Sequence, residues 1–299
     1  MPEGMARRYA IRDVLSEAVE RLAGAGLRDP RREARTLWAA VAGRGVKPGD
    51  VWLGRDRPPA PDVARRFRRA VERRASGMPF AYAAGRADFR TLALRVDPRA
   101  LVPRPETEGL VELVLRETGK REAGCGTCGV AADIGTGCGC IALSLAVEGR
   151  FERVIAVERS SDAAALALEN VALVQPAVPV EVREGDLLAP LAGERYRAIV
   201  SNPPYLTEAE YATLDPSVRL FEPREALVSG ADGLAATRAL LAGARALLEP
   251  GGFVALELDE RRADAVQALA LRHGWSRVAV YDDLFGRPRF LLAGLEEGV

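Results

Sequence analysis

The tetrapeptide Asn202-Pro203-Pro204-Tyr205 places a carboxamide, two imide carbonyls and a phenol ring in succession. The Asn202 side-chain oxygen is a hydrogen-bond acceptor. Proline has no N–H, so the two rings stiffen the loop and leave their carbonyls as unopposed acceptors. Tyr205 offers a flat face to a planar group. An –NH2 group withdrawn from water needs an acceptor for each hydrogen, and Asn202 with the Pro203 carbonyl could take both and aim the nitrogen. Methyl transfer from a sulfonium needs mostly this alignment. Acceptors pulling on both N–H bonds also raise the electron density of a delocalised amide nitrogen as the new bond develops. No strong general base is then required, which suits a chain whose one histidine, His273, lies in a polar Arg-His-Gly turn. Asn202, Pro203 and Tyr205 are the candidate catalytic residues.

A second constellation lies upstream. Asp133-Ile134-Gly135-Thr136-Gly137-Cys138-Gly139 follows an apolar run and precedes a helical stretch. Glycines let backbone turn sharply and approach a ligand, and a helix N-terminus offers N–H groups to an anion such as a pyrophosphate or a carboxylate. Glu158, at the end of the next apolar run, could accept both hydroxyls of a ribose, and Asp186 could lie near an adenine. Gly137, Gly139 and Ala142 also fit the dinucleotide pattern G-x-G-x-x-A, with Glu158 about 20 residues on. The turn alone therefore leaves the nucleotide open. The acid before the first glycine leans toward S-adenosylmethionine.

The elements that must hold these groups follow from periodicity. Ile11, Val14, Leu15, Ala18, Val19 and Leu22 share one helical face, and Ala34, Leu37, Trp38 and Val41 share a second. Val63, Phe67, Ala70 and Val71 share a third, whose outer face is Arg-rich. Alternation of Leu92, Leu94 and Val96 predicts a strand of a short hairpin. Beyond residue 125, apolar runs predict strands over Val130–Ile134, Val154–Val157, Val178–Val182, Ala198–Ser201, Phe253–Glu257, Arg277–Tyr281 and Phe290–Ala293. Helical stretches between them cover Ile141–Val147, Ala163–Val171, Leu234–Leu248 and Arg262–Leu271. Strand–helix alternation predicts an α/β, largely parallel, doubly wound sheet with ligands at the carboxyl ends of its strands. The expected division is a helical domain over 1–76, a hairpin linker over 77–100 and a catalytic domain over 101–299.

Composition narrows the class. The chain has 299 residues, 48% of them hydrophobic, enough for a substantial core. No apolar run reaches the roughly 18–20 residues of a membrane span, and the first residues lack a signal-peptide pattern; the expected compartment is the cytoplasm. Net charge is zero but uneven: residues 1–88 hold 19 Lys+Arg against 11 Asp+Glu. This fits either solvated helix faces or an acidic partner. Cys125, Cys128, Cys138 and Cys140 lack two well-separated CxxC knuckles, and the last two sit at the glycine turn, so no metal is expected.

The residues together resemble the release-factor glutamine methyltransferases of the HemK or PrmC type. The likeness runs through Gly77-Met78-Pro79-Phe80-Ala81-Tyr82, Val102-Pro103-Arg104-Pro105-Glu106-Thr107-Glu108, the glycine turn and Ser201-Asn202-Pro203-Pro204-Tyr205. It continues through Glu222-Pro223-Arg224 with Ala226-Leu227, Gly233-Leu234 and Asp283-Leu284-Phe285-Gly286-Arg287. The resemblance implies a small N-terminal helical domain joined by a hairpin to a seven-stranded, mostly parallel, Rossmann-like methyltransferase sheet. It implies N5-methylation of the glutamine in the Gly-Gly-Gln motif of peptide chain release factors, by a monomer that needs no nucleic acid. S-adenosylmethionine would be bound by Asp133, Gly135, Thr136, Gly137, Cys138 and Gly139, by Glu158 at the ribose, by Asp186 and Leu187 at the adenine, and by Asn202. Asn202, Pro203, Pro204 and Tyr205 would form the glutamine pocket, and the helical domain would bind the release factor. The chain departs from the family pattern at Glu158 and Cys138, where Asp and Ser are frequent, and at Asp259 and Arg262, to which no role is assigned. Four other readings remain: an N6-adenine nucleic-acid methyltransferase, a ribosomal-protein glutamine methyltransferase, a nicotinamide oxidoreductase and an inactive release-factor-binding scaffold. The first would want a basic groove, whereas residues 89–299 are net negative. The second is expected to lack Pro-Glu-Thr-Glu, and the third leaves the NPPY loop unexplained. The fourth would want a defective pocket, and nothing expected is missing from this one.

Overall fold

The computed structural model describes residues 9–121 and 127–295. Cys125, and with it the CxxC pattern, lies outside them. The chain divides into two compact units, Met1–Ala87 with Pro216–Phe221, and Asp88–Asp215 with Glu222–Val299.

The first unit is helical: α1 (Ile11–Gly24), α2 (Pro30–Ala42), α3 (Pro48–Leu53), α4 (Pro61–Ala75) and α5 (Phe80–Ala84). Asp29 caps α2 by accepting from the Arg32 N–H, with Pro30 at the first helical position. The three periodic stripes meet in one core that buries Val14, Leu22, Leu37, Trp38, Phe67 and Val71. Trp38 and Phe67 pack edge to face with centroids 4.9 Å apart. The basic surface is substantially paired: Arg21 with Glu72, Arg66 with Asp62, Arg74 with Glu33 and Arg68 with Glu17. Exposed pairs of this kind contribute little stability, typically about 0–1 kcal/mol each.

A hairpin of β1 (Arg86–Phe89) and β2 (Leu92–Arg95) follows. The second unit continues with α6 (Pro105–Arg121), β3 (Val130–Ile134), α7 (Cys140–Glu148), β4 (Arg153–Glu158), α8 (Ser161–Val174), β5 (Val180–Glu184) and β6 (Tyr196–Ser201). After α9 (Glu208–Ala212) comes α10 (Pro216–Arg219), which belongs to the first unit. Then come α11 (Ala235–Gly243), β7 (Leu248–Glu257), α12 (Ala263–Arg272), β8 (Arg277–Asp282) and β9 (Pro288–Gly294). The seven-stranded sheet has order β5-β4-β3-β6-β7-β9-β8; β5, β4, β3, β6 and β7 run parallel, and β9 is antiparallel to both of its neighbours. The expected α/β, seven-stranded, mostly parallel sheet and the N-terminal helical region are both present. The central strands are buried on both faces, as their unbroken apolar runs require.

Three elements differ from the pattern-based expectation. β5 starts at Val180 rather than Val178, because Pro179 has no N–H for the ladder and only its carbonyl is used, by the Val154 N–H. It also extends to Glu184, since an edge strand tolerates the polar Glu181 and Arg183. The helix expected over Leu234–Leu248 gives way after Gly243 to a tighter 3-10 turn, Ala244–Leu247, and Leu248 already opens β7. The third is α6, which the alternation did not predict. Pro105 starts it, and it buries Leu110, Val111, Leu113 and Val114. Gly109 permits its close approach to β9, because a Cβ there would meet the Phe290 ring at 2.7 Å. Among the described residues, no helix is long and apolar enough to cross a membrane.

Candidate active site

The chain runs outward from β3 to β4 and β5, then returns to place β6 on the other side of β3. This reversal opens a crevice at the carboxyl ends of β3 and β6. Ile134 pairs with Ser201 across those strands, so the glycine turn and the NPPY loop leave the sheet side by side. Ser201 Oγ donates to the Ile134 carbonyl at 2.7 Å and ties the two exits together.

The glycine turn is braced from within through one oxygen of Asp133. Asp133 is fully buried, and its Oδ2 accepts from Thr136 Oγ1 at 2.6 Å and from the Ala142 N–H at 3.0 Å. Burial pushes its carboxyl up to about 7, partly offset by the bonds from Thr136 and Ala142, while the nearby Glu158 charge raises it further. The carboxylate therefore occupies the N-terminal turn of α7, where a dinucleotide fold would seat a pyrophosphate. Gly135, Gly137 and Gly139 all have positive φ, from 56° to 86°. Glu158 reaches back into the turn, with Oε2 accepting from the Gly137 N–H and Oε1 from the Ser160 N–H, both at 2.9 Å. An ionised carboxylate has about four acceptor positions, so one lone pair on each oxygen remains for a pair of vicinal hydroxyls.

A cavity of about 680 Å3 opens over these loops within the second unit. Of the expected cofactor residues, Gly135, Gly137, Glu158, Asp186, Leu187 and Asn202 line it. Asp133, Thr136, Cys138 and Gly139 do not. The first two form the internal bond of the turn; buried Cys138 gives its carbonyl to Asn170 Nδ2 at 2.8 Å; Gly139 caps α7 in a left-handed conformation. These four shape the turn rather than face the cavity. Leu187 has φ 47°, a cost for a non-glycine residue, and it stands beside Asp186 at the cavity wall. The wall also includes Arg99, Ser160 and Ser229. No spacing signal marked them, because they come from three separate segments that meet only in the folded chain.

Asn202 and Pro204 line the same cavity, while Pro203 is buried and does not line it. Asn202 Nδ2 donates to Thr107 Oγ1 at 3.1 Å, and Thr107 Oγ1 donates to Glu257 Oε2 at 2.7 Å. The Asn202 amide is thereby oriented, with Oδ1 left as its acceptor. Desolvation pushes the Tyr205 hydroxyl up to about 12, with the Glu257 charge adding to the shift, so Tyr205 is a neutral phenol. Leu206 extends the loop by pairing with Val228: its N–H donates to the Leu227 carbonyl and its carbonyl accepts from the Ser229 N–H.

The residues 13–85 match the family model described as the PrmC N-terminal domain, and 114–269 match the methyltransferase small domain. The chain is 42% identical to the release factor glutamine methyltransferase of Moorella thermoacetica over 95% of its own length and 98% of that protein. It is 40% identical to the one from Cereibacter sphaeroides over the same shares. The chain belongs to the release factor glutamine methyltransferase family. Its methyl donor is S-adenosylmethionine, consistent with a turn whose helix N-terminus is already filled by Asp133. The N-terminal domain of human METTL16 in complex with SAH shares the fold, with TM-score 0.54 and 18% identity over 86% of this chain and 93% of that one.

Two segments characteristic of the methyltransferase family come together on the second unit. Arg104 Nη2 pairs with Glu222 Oε1 at 2.8 Å, and Glu222 Oε2 accepts from the Val102 N–H at 3.2 Å. The Glu222 side chain is almost wholly buried, so this pair anchors the Pro-Arg-Pro-Glu-Thr-Glu segment and with it Thr107. Asp259 and Arg262, to which the sequence assigned no role, brace the loop after Tyr205. Arg262 Nη2 donates to Glu210 Oε2 at 2.7 Å, and its Nε donates to the Asp232 carbonyl at 3.1 Å. Glu210 in turn closes the capping box of α9 with Thr207. Asp259 accepts from Arg261 and lies 3.3 Å from Arg262.

Proposed function

We propose that this chain transfers a methyl group from S-adenosylmethionine to the side-chain amide nitrogen of the glutamine in the Gly-Gly-Gln motif of peptide chain release factors. The observation that carries the reading is the orientation of Asn202. Its NH2 end is held by Thr107, so its carbonyl oxygen is the end available to an incoming –NH2 group. When bound, the cofactor supplies an electrophilic methyl on sulfur and departs as a neutral thioether. Gly135, Gly137, Glu158, Asp186 and Leu187 would hold it, with Glu158 on the ribose hydroxyls. Asn202 Oδ1 and the Pro203 carbonyl would accept the two amide hydrogens, and Pro204 and Tyr205 would flank the amide plane. The methyl group would pass from the sulfur to the nitrogen lone pair, with the C–S bond broken as the N–C bond forms, while Asn202 and Pro203 hold the nitrogen and one N–H proton leaves to water. Positioning by acceptors is the protein's contribution, because the leaving group is already activated.

The reading extends to the whole chain: residues 1–76 recognise the release factor, 77–100 link, and 101–299 catalyse. The enzyme acts in the cytoplasm as a monomer, without nucleic acid or metal. Mass spectrometry of a release factor incubated with this protein and S-adenosylmethionine tests it. One added methyl on the Gly-Gly-Gln glutamine is the expected result. Transfer to adenine, with none to any release factor, would overturn it.

A further inference from the structure

Asn202 carries its carbonyl and its NH2 on nearly superimposable shapes, so sterics alone cannot choose which end faces the substrate. Something polar must choose. Among the described residues, its Nδ2 donates to Thr107 Oγ1, a residue of the first turn of α6 that is 2% exposed. A hydroxyl has one proton and two lone pairs. The Thr107 proton goes to Glu257 Oε2, the last residue of β7, also 2% exposed. Thr107 therefore meets Asn202 with lone pairs alone and accepts from an N–H.

We infer that Thr107 and Glu257 are positioning residues for methyl transfer, a relay whose polarity keeps the Asn202 carbonyl turned to the substrate nitrogen. The inference rests on the proposed function for its kinetic consequence, not for its geometry. Flipping the amide would set Asn202 Oδ1 against the Thr107 lone pairs, two acceptors face to face. It would also present an NH2 group to the substrate's own NH2. A buried polar chain either satisfied or reversed as a whole behaves in this all-or-none way. The relay is anchored from several directions. Arg104, just before α6, and Arg289 of β9 favour the Glu257 charge, while Glu106 of α6 opposes it. Tyr205 of the NPPY loop faces Glu257 as well, and Asp259 follows it two residues later in the chain. Removing the Thr107 hydroxyl leaves Asn202 free to turn, whereas a serine keeps both bonds.

The test compares Thr107→Val with Thr107→Ser in the full chain. Thr107→Val is expected to lower kcat on a release factor by at least about tenfold with KM changed by less than about twofold, and Thr107→Ser to recover most of the loss. A Thr107 that merely pinned α6 to β7 would lower thermal stability in Thr107→Val, largely keep it in Thr107→Ser, and leave kcat alone in both. The independent readout is the Asn202 side-chain amide by NMR on the cofactor-free protein. Its Nδ2 protons are expected to exchange slowly with water in the wild type and in Thr107→Ser, and fast in Thr107→Val. The inference is overturned if Thr107→Val keeps its kcat, if serine is no better than valine, or if the Asn202 protons exchange equally fast in all three proteins. Absence of any transfer by the wild type would instead sink the proposed substrate, and the exchange rates would still judge the relay.

Discussion

The glycine turn after β3 and the NPPY loop after β6 leave adjacent strands, yet they are held in opposite ways. The turn is closed by its own neighbourhood: Asp133 bonds Thr136 three residues on and Ala142 nine residues on, and Glu158 ends the very next strand. The NPPY loop is oriented from far along the chain, by Thr107 of α6 and through it by Glu257 of β7, and the segment after it is braced by Arg262. Local closure makes the cofactor turn a self-sufficient unit. Remote closure makes the NPPY loop depend on the finished fold, which suits the proposed task of holding a neutral nucleophile in line.

The contrast breaks most sharply at Asn202. Asn202→Ala is expected to lower kcat by about 100-fold or more, by analogy with removing one preorganised group that stabilises a transition state. Cofactor affinity measured by calorimetry should change little, and equal loss of both would place Asn202 with the cofactor turn instead. Next in size is Asp133→Ala, which strands the Thr136 hydroxyl and the Ala142 N–H in a buried site. A loss of about 2–3 kcal/mol in unfolding free energy, read by denaturant titration, is expected together with weakened cofactor binding. Retained affinity would show that the turn does not need its internal acceptor.

A pH series sharpens the comparison through Glu257. Burial pushes its carboxyl up to about 7, with Glu106 adding, against the bond from Thr107 and the charges of Arg289 and Arg104. The ionised carboxylate can only accept from Thr107, whereas the protonated carboxyl can also donate to it, and the fixed polarity of the relay is lost. The rate is therefore expected to fall as pH drops through about 7, toward the level of Thr107→Val, and to level off above it. Glu257→Gln should abolish that step. Stability should respond with the opposite sign. A carboxyl whose folded pKa is raised favours folding at low pH, and that contribution is lost as pH rises from about 4 to about 7. Asp133, shifted in the same direction, adds to the trend, so mutating either group should flatten the dependence of unfolding free energy on pH in that window. The smallest effect is expected at Arg262→Ala, which removes the bonds to Glu210 and the Asp232 carbonyl. A rise in KM for the release factor with kcat nearly unchanged, worth about 1 kcal/mol, would mark it as a brace of the loop rather than of Asn202.

The two loops also differ in how far sequence alone revealed them. Gly135, Gly137, Gly139 and Glu158 were legible because positive φ and a following helix leave a local mark within some 25 residues. Asp133, Thr136 and Cys138 were legible as part of the turn but not as its hidden interior. The pattern of residue types is the same whether a side chain faces a ligand or braces the backbone. Thr107 stood inside a quoted motif without a role, because its partners Asn202 and Glu257 are 95 and 150 residues away. Arg99 and Ser229 of the cavity wall carried no mark at all. α6 leaves little trace in the alternation, because Pro105, its first helical position, also stands inside the Pro-Arg-Pro-Glu-Thr-Glu segment.

By itself the sequence determined the alternation of strands and helices, the crevice at their carboxyl ends and the acceptor chemistry of Asn202-Pro203-Pro204-Tyr205. These rest on periodicity and residue type, which are properties of neighbours in the chain. The tertiary structure alone decided which end of the Asn202 amide is bonded to Thr107 and that the α7 N-terminus is already met by the buried Asp133. Hydrogen-bond polarity and desolvation belong to groups brought together across the fold, and no local pattern records them.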